Sequence, residues 1–155
     1  MASALRVLLL LCGLLAGAAS DGSPKVNCCP DGWTRLNDGC YVVQTEARSF
    51  VDAEKFCNEA LGNLASVTNT LENILVDQLV QAAGEDGAFI GFHDTLEDGE
   101  FLWTDGSKFR FDNFEPGVTL LEDGCGVLSA DGGVWSLVDC NTQEAFVCRT
   151  PVCCL

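Results

Sequence analysis

Ten cysteines in 155 residues constrain this chain more than any other feature, and they are unevenly placed. Doublets at Cys28-Cys29 and Cys153-Cys154 bracket Cys40, Cys57, Cys125, Cys140 and Cys148, while Cys12 stands apart near the start. Residues 1–20, "MASALRVLLLLCGLLAGAAS", hold one arginine, then an apolar run, then small residues, with Ala18 and Ser20 at the −3 and −1 positions before Asp21. That is the pattern of a secretory signal peptide, and its apolar core is too short to span a bilayer. Its removal takes Cys12 and leaves nine cysteines, which in an exported chain read as a disulfide framework. Zinc is a poor alternative, because no Cys-x-x-Cys pair occurs and His93 is the only histidine. Nine is an odd number, so either one thiol stays free or one cysteine joins two chains. An oxidising export route favours the second, and a disulfide-linked homodimer is expected.

The expected organisation is a signal peptide over 1–20, a short polar leader over 21–27 and one domain over 28–155. The length suffices for one core and not comfortably for two. No second apolar segment is long enough for a membrane span, so a secreted, extracellular protein is expected. Loss of Arg6 leaves 7 basic against 23 acidic side chains, a net charge of −16. Nucleic acid and anionic membranes require a basic footprint that this composition lacks. Divalent cations, cationic surfaces and mineral faces suit the charge better. Acidity also keeps a secreted protein soluble, and the two readings stay open side by side.

Local signals give an α+β layout. In "CCPDGWTRLNDGCYVV" the Asn37-Asp38-Gly39 turn and Tyr41-Val42-Val43 predict a β-hairpin, with Cys29 and Cys40 at a separation suited to a cross-hairpin bridge. A first helix follows over "RSFVDAEKFCNEAL", capped by Ser49, with Phe50, Ala53, Phe56, Cys57, Ala60 and Leu61 at helical spacing. After a strand starting in "GNLASV", a second helix spans "NTLENILVDQLVQAAG", with Asn69 as cap, Glu72 at its third position and Gly84 at its end. Its expected apolar face is Leu71, Leu75, Leu79 and Ala82, supported by Ile74, Val76 and Val80. Beyond Gly84, the runs "AFIGF", "EFLWT", "CGVLS", "GVWSL" and "AFVCR" between Gly- and Asp-rich turns predict short strands. Trp33, Trp103 and Trp135 are expected in packing rather than as a sugar-stacking platform, and His93 on a surface loop.

Taken in order, these segments resemble the C-type lectin-like domain from Cys29 to Cys148. "CPDGW" with Cys40 resembles the extra N-terminal hairpin of the long-form members, and "SFVDAEKFC" the first helix. "GNLASV" and "LENILV" match the linker and second helix. "FIGF" stands where the family usually has Trp-Ile-Gly-Gly, "FLWTDGS" matches its aromatic-x-Trp-x-Asp-Gly, and "FDNFEPG" resembles Tyr-x-Asn-Trp-x-x-Gly with phenylalanines for Tyr and Trp. The resemblance implies two helices with short antiparallel strands and a loop region pinned by disulfides. It implies the pairs Cys57–Cys148 and Cys125–Cys140. Because the family's first and last strands lie side by side, it also implies that Cys28 bridges Cys153 or Cys154, leaving the other for a partner chain.

Sugar-binding members use a loop Glu-Pro-Asn or Gln-Pro-Asp and a downstream Trp-Asn-Asp, which together hold calcium. Calcium takes six to eight oxygen ligands. In this chain Trp135 is followed by Ser136 and Leu137, so a ligand and a charge are gone. "EPG" at Glu115–Gly117 fits the residues before the specificity tripeptide, and "VTLLEDG" up to Cys125 contains no such tripeptide. The usual calcium–sugar site is therefore expected to be lost. The family's second, supporting calcium position maps onto Asp94, Asp98, Glu122 and Asp123, with Gly124 inserted before Cys125. These acids either hold a calcium ion or are solvated loop acids, and the sequence leaves both open.

No Ser-His-Asp set, supported glutamate pair or phosphate-binding glycine loop is visible, so no enzyme is expected. The resemblance implies a recognition protein for glycans or surface ligands of microbes or host, one in which dimer formation adds avidity. Two alternatives stand beside it. One is a crystal-surface binder, mineral-associated or similar to type II antifreeze proteins, where the charge favours mineral over ice. The other is a protein-binding dimer that uses the shortened loop as its interface.

Overall fold

The computed structural model describes residues 27–94, 101–118 and 124–154. A hairpin opens the domain: β2 (Thr34–Leu36) and β3 (Gly39–Arg48) pair antiparallel around Asn37-Asp38, with Leu36 opposite Gly39. Asn37 adopts φ 53°, a left-handed conformation that asparagine tolerates better than most residues. The main sheet runs β2-β3-β9-β5-β7-β8, where β5 is Gly87–His93, β7 Gly124–Ser129, β8 Trp135–Asp139 and β9 Glu144–Pro151. Short strands β4 (Asn63–Leu64) and β6 (Leu102–Trp103) attach to β9 and β5. The sheet departs from an all-antiparallel pattern at its centre, where β5 meets β9 in parallel through Phe89 and Phe146. The first and last described strands close on each other: β1 (Asn27–Cys28) pairs antiparallel with β10 (Cys153–Cys154), bringing Cys28 into register with Cys153.

Strand alternation divides the interior into two clusters. Ala88, Ile90 and Phe92 of β5 join Val76, Val80, Trp103, Leu128 and Trp135 on one face. Phe89 turns to the other, with Phe50, Cys57, Leu64, Phe146 and Cys148. Between them Gly91 permits a close crossing. A Cβ there would lie 2.6 Å from the Leu64 carbonyl oxygen and 2.8 Å from Thr104 Oγ1. Backbone cannot yield as a flexible side chain can, so Gly91→Ala is expected to destabilise the domain by about 1–3 kcal/mol through overpacking. A lowered urea midpoint with unchanged slope is the readout, and an unaltered midpoint would show that the crossing is looser than this.

Helix α1 (Phe50–Glu59) is capped by Ser49, whose hydroxyl accepts the Asp52 N–H at 3.4 Å and donates to the Asp52 carboxylate at 2.9 Å. Phe50, Ala53 and Cys57 are buried, but the predicted stripe ends early. Ala60 is the C-cap, and Leu61, at φ 58°, lies beyond the helix and is 86% exposed. The chain reverses there to reach β4, so Leu61 has left the helical period that placed it inward. Helix α2 (Thr70–Ala83) begins at Asn69, which accepts the Leu71 and Glu72 N–H groups at 3.0 and 3.1 Å, and ends at Gly84 with φ 80°.

The buried face of α2 differs from the expected one. Val76 and Val80 lie inside, with Leu75 and Leu79 at the flank, whereas Leu71 and Ile74 are exposed, as is Ala82. Their places are taken by Glu72 and Asn73, because both find partners. Glu72 accepts the Thr68 N–H and hydroxyl at 2.7 and 2.9 Å, and Asn73 is bonded to the β7–β8 hairpin described below. His93 likewise sits on β5 rather than on a surface loop, half-buried in an edge-on contact with Phe50, ring centroids 5.8 Å apart. Burial lowers its imidazole pKa, opposed by attraction to Glu54 and Asp94.

Among the described residues three disulfides form: Cys29–Cys40 across the hairpin, Cys57–Cys148 between α1 and β9, and Cys125–Cys140 across the loop-rich half.

Candidate functional site

Trp135 is the point from which the site is built. Its ring is fully buried at the start of β8, and its Nε1–H donates to Asn73 Oδ1 at 2.7 Å. The Asn73 amide in turn donates to the Gly133 carbonyl at 3.1 Å, and Asn113 Nδ2 donates to the same oxygen at 2.7 Å. Gly133, at φ 65°, is required in two ways, since a Cβ would also fall 2.6 Å from Asn73 Nδ2. The irregular strand 113–115 then lies along β8. Trp135 N–H bonds the Asn113 carbonyl at 2.8 Å, Glu115 N–H bonds the Trp135 carbonyl at 3.0 Å, and Phe114 forms a parallel bridge to Trp135.

Between this strand and the β7–β8 hairpin lies a cleft of about 340 Å³, lined by Glu115, Pro116, Ser129, Asp131, Val134 and Ser136. Glu115 and Asp131 are exposed carboxylates on opposite walls. The Ser129 hydroxyl accepts the Asp131 N–H at 3.3 Å and keeps its own proton to donate. Pro116 and Val134 supply apolar surface. Two carboxylates that accept, two hydroxyls that do both, and a small apolar floor make a surface suited to a polyhydroxylated ligand.

The residues singled out for calcium fare differently. Asp94 follows β5, is 5% exposed, and donates its backbone N–H to the Gly124 carbonyl at 2.9 Å. Asp98, Glu122 and Asp123 lie outside the described residues. Among the described residues, no three His, Cys, Asp or Glu side chains gather as a metal cradle. Leu137, at the position of the missing aspartate, is 8% exposed and packs in the core. Trp103 and Trp135 are buried, and Trp33 packs against the α1 cluster. The cleft residues themselves were not singled out from the sequence. "SADGGVWS" carries the only hint, a Gly-Gly turn between hydroxyl- and carboxyl-bearing residues.

Residues 46–150 match the family described as the lectin C-type domain, and the chain belongs to that family. It is 33% identical over 131 residues to Snaclec 3 of Daboia siamensis, covering 83% of this chain and 85% of that one. It is 29% identical over 146 residues to the galactose-specific lectin nattectin of Thalassophryne nattereri, covering 91% of each. The structure of human lithostathine superposes with a TM-score of 0.77 at 27% identity, covering 86% of this chain and 99% of that one. Among the described residues no helix is long and apolar enough to cross a membrane.

Proposed function

We propose that this chain is a secreted recognition protein that binds glycans, without catalysis, through the cleft between Glu115-Pro116 and the β7–β8 hairpin, independently of a calcium–sugar site. The observation that carries the reading is the cleft itself, with carboxylates and hydroxyls on two walls held in place by Trp135, Asn73 and Asn113. The sugar specificity in the name of nattectin supports a glycan as ligand class. The burial of Leu137 supports calcium independence, since no oxygen ligand stands at that position.

The test is a glycan array probed with the mature protein in calcium and again in chelator. Binding is expected in both conditions. Asp131→Asn combined with Ser136→Ala is expected to weaken it about tenfold, the size of one lost charge-assisted hydrogen bond. Binding that vanishes in chelator would overturn the reading. Binding to nothing on the array would shift weight to a mineral surface, the second reading, which the formal charge of −15 favours. Adsorption to calcium mineral powder tests that directly.

Two further assignments belong with this reading. The register of Cys28 with Cys153 supports an intrachain bridge between them, leaving Cys154 to join a second copy in a homodimer. Non-reducing electrophoresis with and without Cys154→Ser tests this. A structural calcium ion held by Asp94, Asp98, Glu122 and Asp123 would raise the melting temperature on calcium addition, with the glycan affinity unchanged.

A further inference from the structure

The loop between β6 and the cleft carries a feature that runs against the overall charge. Lys108 and Arg110 are two of the eight cationic side chains in a chain with 23 acids. Arg48, Lys55 and Arg149 each hold a carboxylate, on Glu46, Asp52 and Asp38. Lys108 and Arg110 are exposed, and among the described residues no carboxylate lies within ion-pair distance of either. The nearby Asp105 is turned away from them: its two oxygens accept the Ser107 N–H at 2.8 Å and the Ser66 hydroxyl at 2.6 Å. Asp112 is the remaining acid of the loop and is exposed.

The backbone that carries the cations is also held in place. Phe109, between them, packs 5.5 Å from Phe92 and stacks on Trp103 at 6.4 Å, and Phe111 sets its edge on Trp135 at 5.6 Å. The aromatic side chains anchor the loop, so the backbone that presents the cations needs little ordering on binding. Phe109 nevertheless remains 37% exposed, leaving an apolar edge between two positive charges.

We propose that Lys108, Phe109 and Arg110 form a second binding surface, separate from the cleft, for an acidic polysaccharide bearing sulfate or uronate groups. The cations take the anionic groups, and the ring edge takes a sugar C–H face. An acidic protein partner fits poorly. A stable protein interface buries roughly 1,200–2,000 Å², and the acid-rich remainder of this surface would oppose such a partner. A polysaccharide strand touches a narrow path, and acids more than about 8 Å away are screened at physiological salt.

The test measures retention of the full mature protein on dextran sulfate, polygalacturonate, neutral dextran and polyglutamate. Retention on at least one anionic polysaccharide above dextran is expected, and it should fall with added salt. The double substitution Lys108→Gln/Arg110→Gln should weaken it about tenfold. Arg35→Gln/Lys55→Gln, with the same change in charge, should leave it nearly intact, as should the cleft variant Asp131→Asn/Ser136→Ala. If both charge pairs lose equally, only net charge is at work and the proposal falls. Failure to prefer either anionic polysaccharide over dextran, or equal retention on polyglutamate, would also overturn it. The salt-sensitive sulfate and carboxylate arms separate the two anion sources.

Discussion

Replacing Cys57 and Cys148 together by alanine is expected to remove roughly 4–5 kcal/mol of stability, a large share of what a single domain holds. The two residues are 91 apart in sequence, so their bond closes most of the domain into one loop of the unfolded chain. Cys29 and Cys40 are only 11 apart, and their removal is expected to cost nearer 3 kcal/mol on the same chain-entropy basis. Burial adds to the difference: Cys57 and Cys148 are wholly inaccessible and pack with Phe50, Leu64 and Phe146, so alanine also leaves space there. Urea unfolding of the two double variants, followed by tryptophan fluorescence, gives the comparison. An equal loss from both pairs would mean that closure of the long loop does not set the stabilisation.

The contrast between what the sequence made legible and what it did not follows sequence distance. The caps at Ser49, Asn69 and Gly84 were readable because cap and helix are neighbours, and the Asn37-Asp38 turn for the same reason. The strands after Gly84 were readable from short apolar runs between turn residues. The buried face of α2 is not legible locally, because Asn73 is satisfied by Trp135 and Gly133, some 60 residues away. Without those partners, a helix with Leu71 and Ile74 outward and an amide inward is the wrong solution. Leu61 falls outside α1 because a helical period does not announce its last residue. The cleft was the least legible feature. Its walls come from segments more than ten residues apart, joined through backbone bonds at Trp135, a shared carbonyl at Gly133 and the packing of Phe111 and Phe114 on the Trp135 ring. No periodicity encodes such a junction. The loss of the tripeptide was visible locally, whereas the surface beside it required three dimensions.

Trp135→Phe is expected to cost about 2–4 kcal/mol, since it strands the buried Asn73 oxygen without its donor and removes part of a buried ring. Asn73→Leu is expected to cost a similar amount from the opposite side, leaving the Trp135 indole N–H unpaired in the core. The Gly133 carbonyl would retain its bond from Asn113, so its satisfaction does not decide the outcome. The double variant should be less damaging than the sum of the two by about 1–3 kcal/mol, because once both polar partners are apolar neither is left stranded. Strict additivity would mean that the 2.7 Å indole bond contributes nothing as a pair. The same cycle reads on function. Asn73 does not itself line the cleft but holds Trp135, which does, and the Gly133 carbonyl beside it, so its loss acts by loosening the hairpin wall. Asn73→Leu should therefore weaken glycan retention at temperatures well below its melting point, while leaving retention through Lys108 and Arg110 in place. Equal weakening on both surfaces would point to general unfolding, and unchanged glycan retention would show that the cleft does not depend on the wall that Trp135 and Asn73 hold.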